Sequence, residues 1–285
     1  MNKLMRDFAD FIEKEPYTPF AVSVSLNGEI MTEDFTVTNP CQDTYSVAKA
    51  FTMTAVGILF DKGLLRPEDK ICDILSDAVP EGIDPRWSDV TVEMLILHRA
   101  GLPGGFLDID CNPSSVFGKD YLNYTFTYPM AYTPGTEERY SDGAYYLLSC
   151  AVEKLSGQKL DDFLWTELFS EFSVQEAAFS HCPMGHAMGA TGLYLHSSDM
   201  VKLGELYLNN GIYNGKRLLS EEWIQLVLEK EYCFEWDKTH TYYYKGGMRG
   251  QKLIVYPKAR MAVAVTSYEA DTGAIAEWFR THSAE

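Results

Sequence analysis

Ser46-Val47-Ala48-Lys49, with the apolar run Ala50-Phe51-Thr52-Met53-Thr54-Ala55-Val56-Gly57-Ile58-Leu59-Phe60 behind it, is the stretch on which the reading of this chain turns. A run of this kind, free of charge and closed by Lys62-Gly63, predicts a buried helix. Ser46 then stands at its N-terminus and Lys49 one turn later on the same face. A serine hydroxyl is inert at its free pKa and needs an adjacent base. Lysine serves as that base when its own pKa is pulled down, and a helix N-terminus and an apolar wall both act in that direction.

The spacing alone is weak, because a chain of this composition holds roughly one Ser-x-x-Lys match by chance. A second one is present, Ser156-Gly157-Gln158-Lys159. Its serine follows Lys154-Leu155 and precedes a glycine, which marks a helix end rather than a helix start.

Working outward from Ser46, strands are expected at both ends of the chain and helices between them. Residues 4–12 place Leu4, Phe8, Phe11 and Ile12 on one stripe of an amphipathic helix. Phe20 to Leu26 alternates as a strand, Asn27-Gly28 is a hairpin turn, and Glu29-Ile30-Met31 starts the return. Helices are expected over 91–97, 142–155, 161–169 and 198–208, the last with serine at its cap. Another starts at Ser220, with Leu219 and Ile224 as a hydrophobic staple. Period-two patterning returns at 242–244, 253–256 and 261–265, and 274–279 closes the chain as a helix. The fold class that follows is α+β. Residues 1–63 and 190–285 are expected to build one antiparallel sheet domain from both termini, with 64–189 as an inserted helical domain.

The 285 residues carry a formal charge of −17, which argues against nucleic acid as a partner. No run reaches the roughly 18 apolar residues of a membrane span. The first residues lack an apolar leader segment, so a cytoplasmic location is expected. Six cysteines are scattered without paired spacing and read as core or surface thiols. Ser180-His181-Cys182-Pro183-Met184-Gly185-His186 holds three possible ligands but no second cluster, so no metal is expected there.

A lysine-activated serine also needs a group that carries the proton to the leaving atom, and tyrosine near the lysine does this. Three Tyr-x-[Asn/Asp] triplets exist. Tyr207-Leu208-Asn209 lies in an amphipathic helix and reads as packing, and Tyr121-Leu122-Asn123 lies in an aromatic loop. Tyr140-Ser141-Asp142 follows Pro134-Gly135-Thr136 at a loop tip, where function concentrates. An oxyanion hole needs main-chain N–H groups; Ser46 offers one, and the strand edge carrying Lys245-Gly246-Gly247-Met248 offers another. Gly246 and Gly247 would let a substrate backbone approach.

In this order, Ser46-x-x-Lys49, Tyr140-Ser141-Asp142 and Lys245-Gly246-Gly247 resemble the three motifs of the serine β-lactamase and penicillin-binding-protein superfamily. The resemblance is strongest to its class C branch with the related esterases and D-aminopeptidases. Leu95-Ile96-Leu97-His98-Arg99-Ala100-Gly101-Leu102-Pro103 is similar to the family's LLTHTSGLP stretch, and Pro134 to Asp142 to its PGT…YSN stretch. Gly189-Ala190-Thr191-Gly192-Leu193, Ser198-Asp199-Met200, Gly215 to Ser220 and Gly250-Gln251 also fit. The resemblance implies Ser46 as the acylated nucleophile, Lys49 as proton acceptor and Tyr140 as proton relay and deacylation base. It implies Lys245 as a contact for a substrate carboxylate, and the N–H groups of Ser46 and Met248 as the oxyanion hole. No metal and no organic cofactor is implied.

Two positions depart from the pattern. Asp142 replaces the usual asparagine, and an ionised carboxylate accepts but does not donate. It would also favour a charged Lys49, unless it caps the following helix. Gly246 replaces a threonine hydroxyl. The first functional reading is therefore a serine hydrolase acting on a small ester or amide. A β-lactamase and a non-turnover sensor are the alternatives. An α/β-hydrolase is excluded by the lack of Gly-x-Ser-x-Gly. A small-molecule substrate is expected, and the oligomeric state stays open.

Overall fold

A computed structural model describes residues 3–282. Along the chain run α1 (Lys3–Ile12), β1 (Ala21–Leu26), β2 (Glu29–Asp34), β3 (Gln42–Asp43), α2 (Ala48–Asp61), α3 (Ile71–Ile74), α4 (Val92–Ile96) and α5 (Tyr121–Thr127). Then come α6 (Asp142–Ser156), α7 (Leu160–Leu164), β4 (Ala178–Phe179), β5 (Leu193–Leu195), α8 (Ser197–Leu208), β6 (Ile212–Tyr213) and β7 (Lys216–Arg217). The chain ends with α9 (Glu221–Lys230), β8 (Glu235–Trp236), β9 (Tyr243–Gly247), β10 (Gln251–Tyr256), β11 (Met261–Thr266) and α10 (Thr272–His282). The fold is α+β, with helices packed on an antiparallel sheet.

The chain divides into two compact units. The first takes the chain up to Val47, Glu171–Ala177 and everything from Leu193 onward; the second takes Ala48–Ser170 and Ala178–Gly192. The sequence-based boundaries at 63 and 190 placed α2 with the sheet, whereas it belongs to the helical unit. Its sides are buried from Ala48 to Leu59, and inside that unit it packs along α6 and α7, with Phe51 edge-on to Phe169 at 5.8 Å.

In the first unit, six antiparallel strands run in the order β2-β1-β11-β10-β9-β8. β1 pairs with β11 from Ala21↔Thr266 to Leu26↔Met261, joining strands from the two ends of the chain. The β1–β2 turn uses Asn27 at φ 53° and Gly28 at φ 87°, the left-handed pair that a tight hairpin requires. One face of the sheet presents Val22, Val24, Ile254, Val263 and Val265 to Met5, Phe8 and Ile12 of α1 and Ile275 and Phe279 of α10, all buried. Each such side chain contributes about 1.5–3 kcal/mol of burial.

The alternation in β1 reads as one wet face, yet Ser23 and Ser25 are buried as well. α8 covers that face: Ser23 Oγ lies 2.8 Å from Ser197 Oγ, and Ser25 Oγ donates to Glu205 at 2.9 Å. A Cβ on Gly204 would stand 2.8 Å from the Ala262 Cβ, so glycine lets α8 lie directly on β11. The cap of α8 is His196, not a serine. α9 starts as expected, with Ser220 Oγ accepting from Trp223 N–H at 3.0 Å and Leu219 and Ile224 both buried.

The second unit is built on α6, whose residues Asp142 to Val152 are all buried. α2, α3, α4 and α7 pack against it. Tyr121 does not lie in a loop: it opens α5, capped by Asp120, and is buried. Ser156 is the last residue of α6, before Gly157 at φ 72°. The Ser156 match is therefore a helix C-terminus, as its sequence context indicated. Among the described residues, no helix is long and apolar enough to cross a membrane.

Candidate active site

The first unit holds Ser46 on a single 3₁₀ turn, Tyr45–Val47, from which the chain runs straight into α2. The turn is fixed from beneath. Thr44 N–H and Thr44 Oγ1 both donate to Leu193 O at 2.8 Å, and Val47 N–H donates to Thr44 O at 3.1 Å. Tyr45 sits at φ 46°, left-handed backbone that a tyrosine adopts only when its surroundings hold it there. Its N–H donates to Asp43 Oδ1 at 2.8 Å.

Strand β9 ends against this turn. A Cβ on Gly247 would meet Thr44 O at 2.5 Å and stand 3.3 Å from Ser46 N. The backbone that approaches closely at Gly247 is thus the chain's own, while Gly246 faces open space. Lys245 is buried and Met248, the first residue of the turn Met248–Gly250, is 38% exposed. Gly247, the residue before Met248, therefore lies directly against the Ser46 turn.

The second unit assembles Lys49, Tyr140 and Asp142. Lys49 lies on the first turn of α2 and is completely buried. Its Nζ donates to Asp142 Oδ1 at 2.6 Å and to Ala190 O at 2.9 Å. The same Nζ stands 4.6 Å from the centroid of the Tyr140 ring and 5.8 Å from that of Tyr145. Tyr140 itself is 46% exposed, so one end of this buried network reaches solvent.

Asp142 does not cap α6. Ser141 does, its Oγ accepting from Ala144 N–H at 3.2 Å. This frees the Asp142 carboxylate, on the first helical residue, to face Lys49. The helix start is docked by Asp142 N–H and Gly143 N–H, which both donate to Phe106 O. Gly143 is required there, because a Cβ would fall 2.5 Å from the Phe106 ring.

His98 was not singled out from sequence, although it lies in the quoted 95–103 stretch. It brackets Tyr140: His98 O accepts from Arg139 N–H at 2.8 Å, and His98 Nδ1 accepts from Ser141 N–H at 3.2 Å. The imidazole lies against the Tyr140 ring with centroids 4.4 Å apart. The residue on each side of Tyr140 is thereby tied to one histidine, which orients the phenol.

Asp108 and Asp110 were also missed. They come from the weakly patterned loop after Phe106, and their carboxylates join that of Asp142 with oxygens within 4.8 Å of one another. Desolvation, followed by the neighbouring Asp142 and Asp108, raises the Asp110 carboxyl; a hydrogen bond from Thr191 Oγ1 at 2.6 Å opposes this. No periodicity marks such residues. Only the return of a long loop onto α6 brings them to Lys49.

The ligand candidates between Ser180 and His186 are not brought together. His181 pairs with Asp161 at 3.0 Å, His186 with Glu153 at 2.8 Å, and Cys182 Sγ lies 3.3 Å from the Tyr146 hydroxyl.

The chain belongs to the Beta-lactamase family, whose model matches residues 38–282. It is 26% identical over 205 residues to penicillin-binding protein 4 of Amycolatopsis lactamdurans, covering 61% of this chain and 53% of that one. The chain spans about half the length, or less, of the first curated relatives it matches. Among solved structures, it resembles a putative β-lactamase from Bacteroides dorei DSM 17855, with a TM-score of 0.78 at 13% identity, over 99% of this chain and 98% of the other. It also resembles a putative 6-aminohexanoate-dimer hydrolase from Bacillus anthracis, with a TM-score of 0.77 at 16% identity, over 97% and 79% of the two chains. The likenesses to solved structures, at 13% and 16% identity, bear on the fold alone.

Proposed function

We propose that this protein is a serine hydrolase that works through an acyl-enzyme on a small ester or amide. Ser46 Oγ attacks the carbonyl carbon while its proton passes along Lys49 and Tyr140 to the departing alcohol or amine, each giving up one proton as it takes another, so that Lys49 keeps the charge it shares with Asp142. Water then attacks the acyl-serine, Tyr140 takes its proton and one is returned through Lys49 to Ser46 Oγ, releasing the acid. Main-chain N–H groups of Ser46 and Met248 hold the oxyanion. Both half-reactions are acyl transfer, and neither consumes a co-reactant.

The observation that carries this reading is the buried Lys49, 4.6 Å from the Tyr140 ring centroid and three residues after Ser46. An electrostatic feature favours esters and uncharged amides over β-lactams. Asp142, with Asp108 and Asp110 beside it, makes the surroundings of Lys49 acidic. A β-lactam brings a carboxylate of its own, which those groups oppose.

The test is intact-protein mass and turnover after mixing with a p-nitrophenyl ester and, separately, with a β-lactam. Ester turnover with a transient acyl adduct, abolished by Ser46→Ala together with phosphonate labelling, is expected. Labelling or turnover that survives Ser46→Ala overturns the assignment. A persistent β-lactam adduct without ester turnover would make the protein a sensor instead.

A further inference from the structure

We propose that Cys41, Glu176 and His196 form a transition-metal site of the zinc class in the first unit, separate from Ser46 and its partners. Strand pairing brings the first two ligands together. β3 and β5 pair with Gln42 opposite Leu195 and Asp43 opposite Tyr194, so continuing the register by one step sets Cys41 opposite His196. Directly opposed residues on antiparallel strands have Cβ atoms about 4.5–5.5 Å apart, a span that one metal ion bridges.

The third ligand comes from the segment Glu171–Ala177, which joins the sheet unit between two stretches of the helical one. Glu176 Oε2 lies 3.8 Å from Cys41 Sγ and 3.8 Å from His196 Nε2. All three ligand atoms lie within 4.8 Å of one another. With Zn–S near 2.3 Å and Zn–N and Zn–O near 2.0 Å, the edges of a coordination tetrahedron are about 3.3–3.5 Å. The two separations from Glu176 exceed those edges by about 0.3–0.5 Å, and the one between Cys41 and His196, under 4.8 Å, closes by a side-chain movement of at most about 1.3 Å.

The donor set mixes soft sulfur, imidazole and carboxylate, which selects zinc, cobalt or a similar ion over magnesium or calcium. Coordination exchanges the Sγ–H bond for an Sγ–metal bond and releases that proton to solvent, with no change of oxidation state.

Three protein ligands leave a fourth position for water or a small ligand. Bound metal would also clamp the 171–177 segment to the β3–β5 ladder, next to the existing hold of Lys202 Nζ on Phe172 O at 2.7 Å.

The test is equilibrium dialysis of the full chain against Zn²⁺, with Co²⁺ as the spectroscopic probe. One ion per chain is expected, with a thiolate-to-cobalt charge-transfer band and the intense visible bands of four-coordinate cobalt. Cys41→Ser and His196→Gln should each weaken binding at least tenfold, and Cys111→Ser, at an exposed thiol elsewhere, should leave it unchanged. Failure of wild-type protein to bind Zn²⁺ at micromolar concentration, or equal binding by Cys41→Ser, overturns the proposal. Should a variant misfold, the wild type suffices: Zn²⁺ should slow iodoacetamide alkylation of Cys41 at least tenfold without affecting Cys111. Equal alkylation of Cys41 with and without Zn²⁺ would refute the site. Ester turnover is read separately and does not bear on it.

Discussion

The Lys49–Asp142 pair offers the sharpest perturbation. Nζ and Oδ1 are 2.6 Å apart, with the lysine side chain 0% and the aspartate side chain 7% exposed. Removing one partner from such a pair strands the other charge away from water, which costs about 3–5 kcal/mol. Asp142→Ala should therefore lower stability by that order. Asp142→Asn keeps an oxygen that accepts from Lys49 but loses the charge, and Ala190 O continues to accept. Its cost should be smaller, about 1–3 kcal/mol, the worth of a charge-assisted bond.

Urea unfolding of the wild type, both variants, Lys49→Met and the double variant Lys49→Met/Asp142→Ala measures this. The double variant should recover most of the loss, because no unpaired charge remains. Salt should change the differences little between about 0.05 and 0.5 M, since buried pairs are weakly screened. Asp142→Ala within about 0.5 kcal/mol of wild type, or no coupling in the cycle, would refute the pair as a buried, unscreened interaction. The same Asp142→Asn variant bears on chemistry. It gains an amide donor and removes a charge that opposes carboxylated substrates, so its β-lactam to ester turnover ratio should rise. An unchanged or lower ratio would sink that account.

Three other outcomes are expected. Gly247→Ala should depress ester turnover by tenfold or more, because its Cβ would fall 2.5 Å from Thr44 O beside the Ser46 turn; near-normal turnover would show that the turn tolerates displacement. Ser156→Ala should leave activity near wild type, and a large loss would reinstate the second Ser-x-x-Lys as chemical. Asp237 is desolvated, which raises its pKa, yet hydrogen bonds from Thr239 and the main-chain N–H groups of Tyr242, Thr239 and Thr241 outweigh this and hold it well below the usual 3.8. A depressed carboxylate stabilises the folded state above its unfolded pKa and loses that contribution as pH falls. The stability gap between wild type and Asp237→Ala should thus be full at pH 7 and shrink below about pH 4; a gap independent of pH would contradict this.

The candidate site was legible where its residues are neighbours in sequence. The turn bearing Ser46 leads into the helix start bearing Lys49, and Tyr140 and Asp142 flank a cap, so spacing, residue type and the family resemblance singled them out as candidates. The role of Asp142 was not legible. Both a cap and a partner for Lys49 are compatible with an aspartate at a helix start, and only the positions of Ser141 and Lys49 choose between them. The burial of the β1 serines was not legible either, since alternation reports polarity and not what covers the polar face.

Local pattern by itself determined the longer helices, the hairpin at Asn27-Gly28 and the terminal strands, because those depend on periodicity, capping and turn propensity within a few residues, whereas the short α3 and α5 escaped it. Tertiary structure alone decided that α2 joins the helical unit, that His98 brackets Tyr140, and that Asp108 and Asp110 return to Lys49. It likewise set Cys41 opposite His196. These are contacts between residues far apart in the chain, fixed by packing and strand register, and neither leaves a periodic mark in the residues themselves.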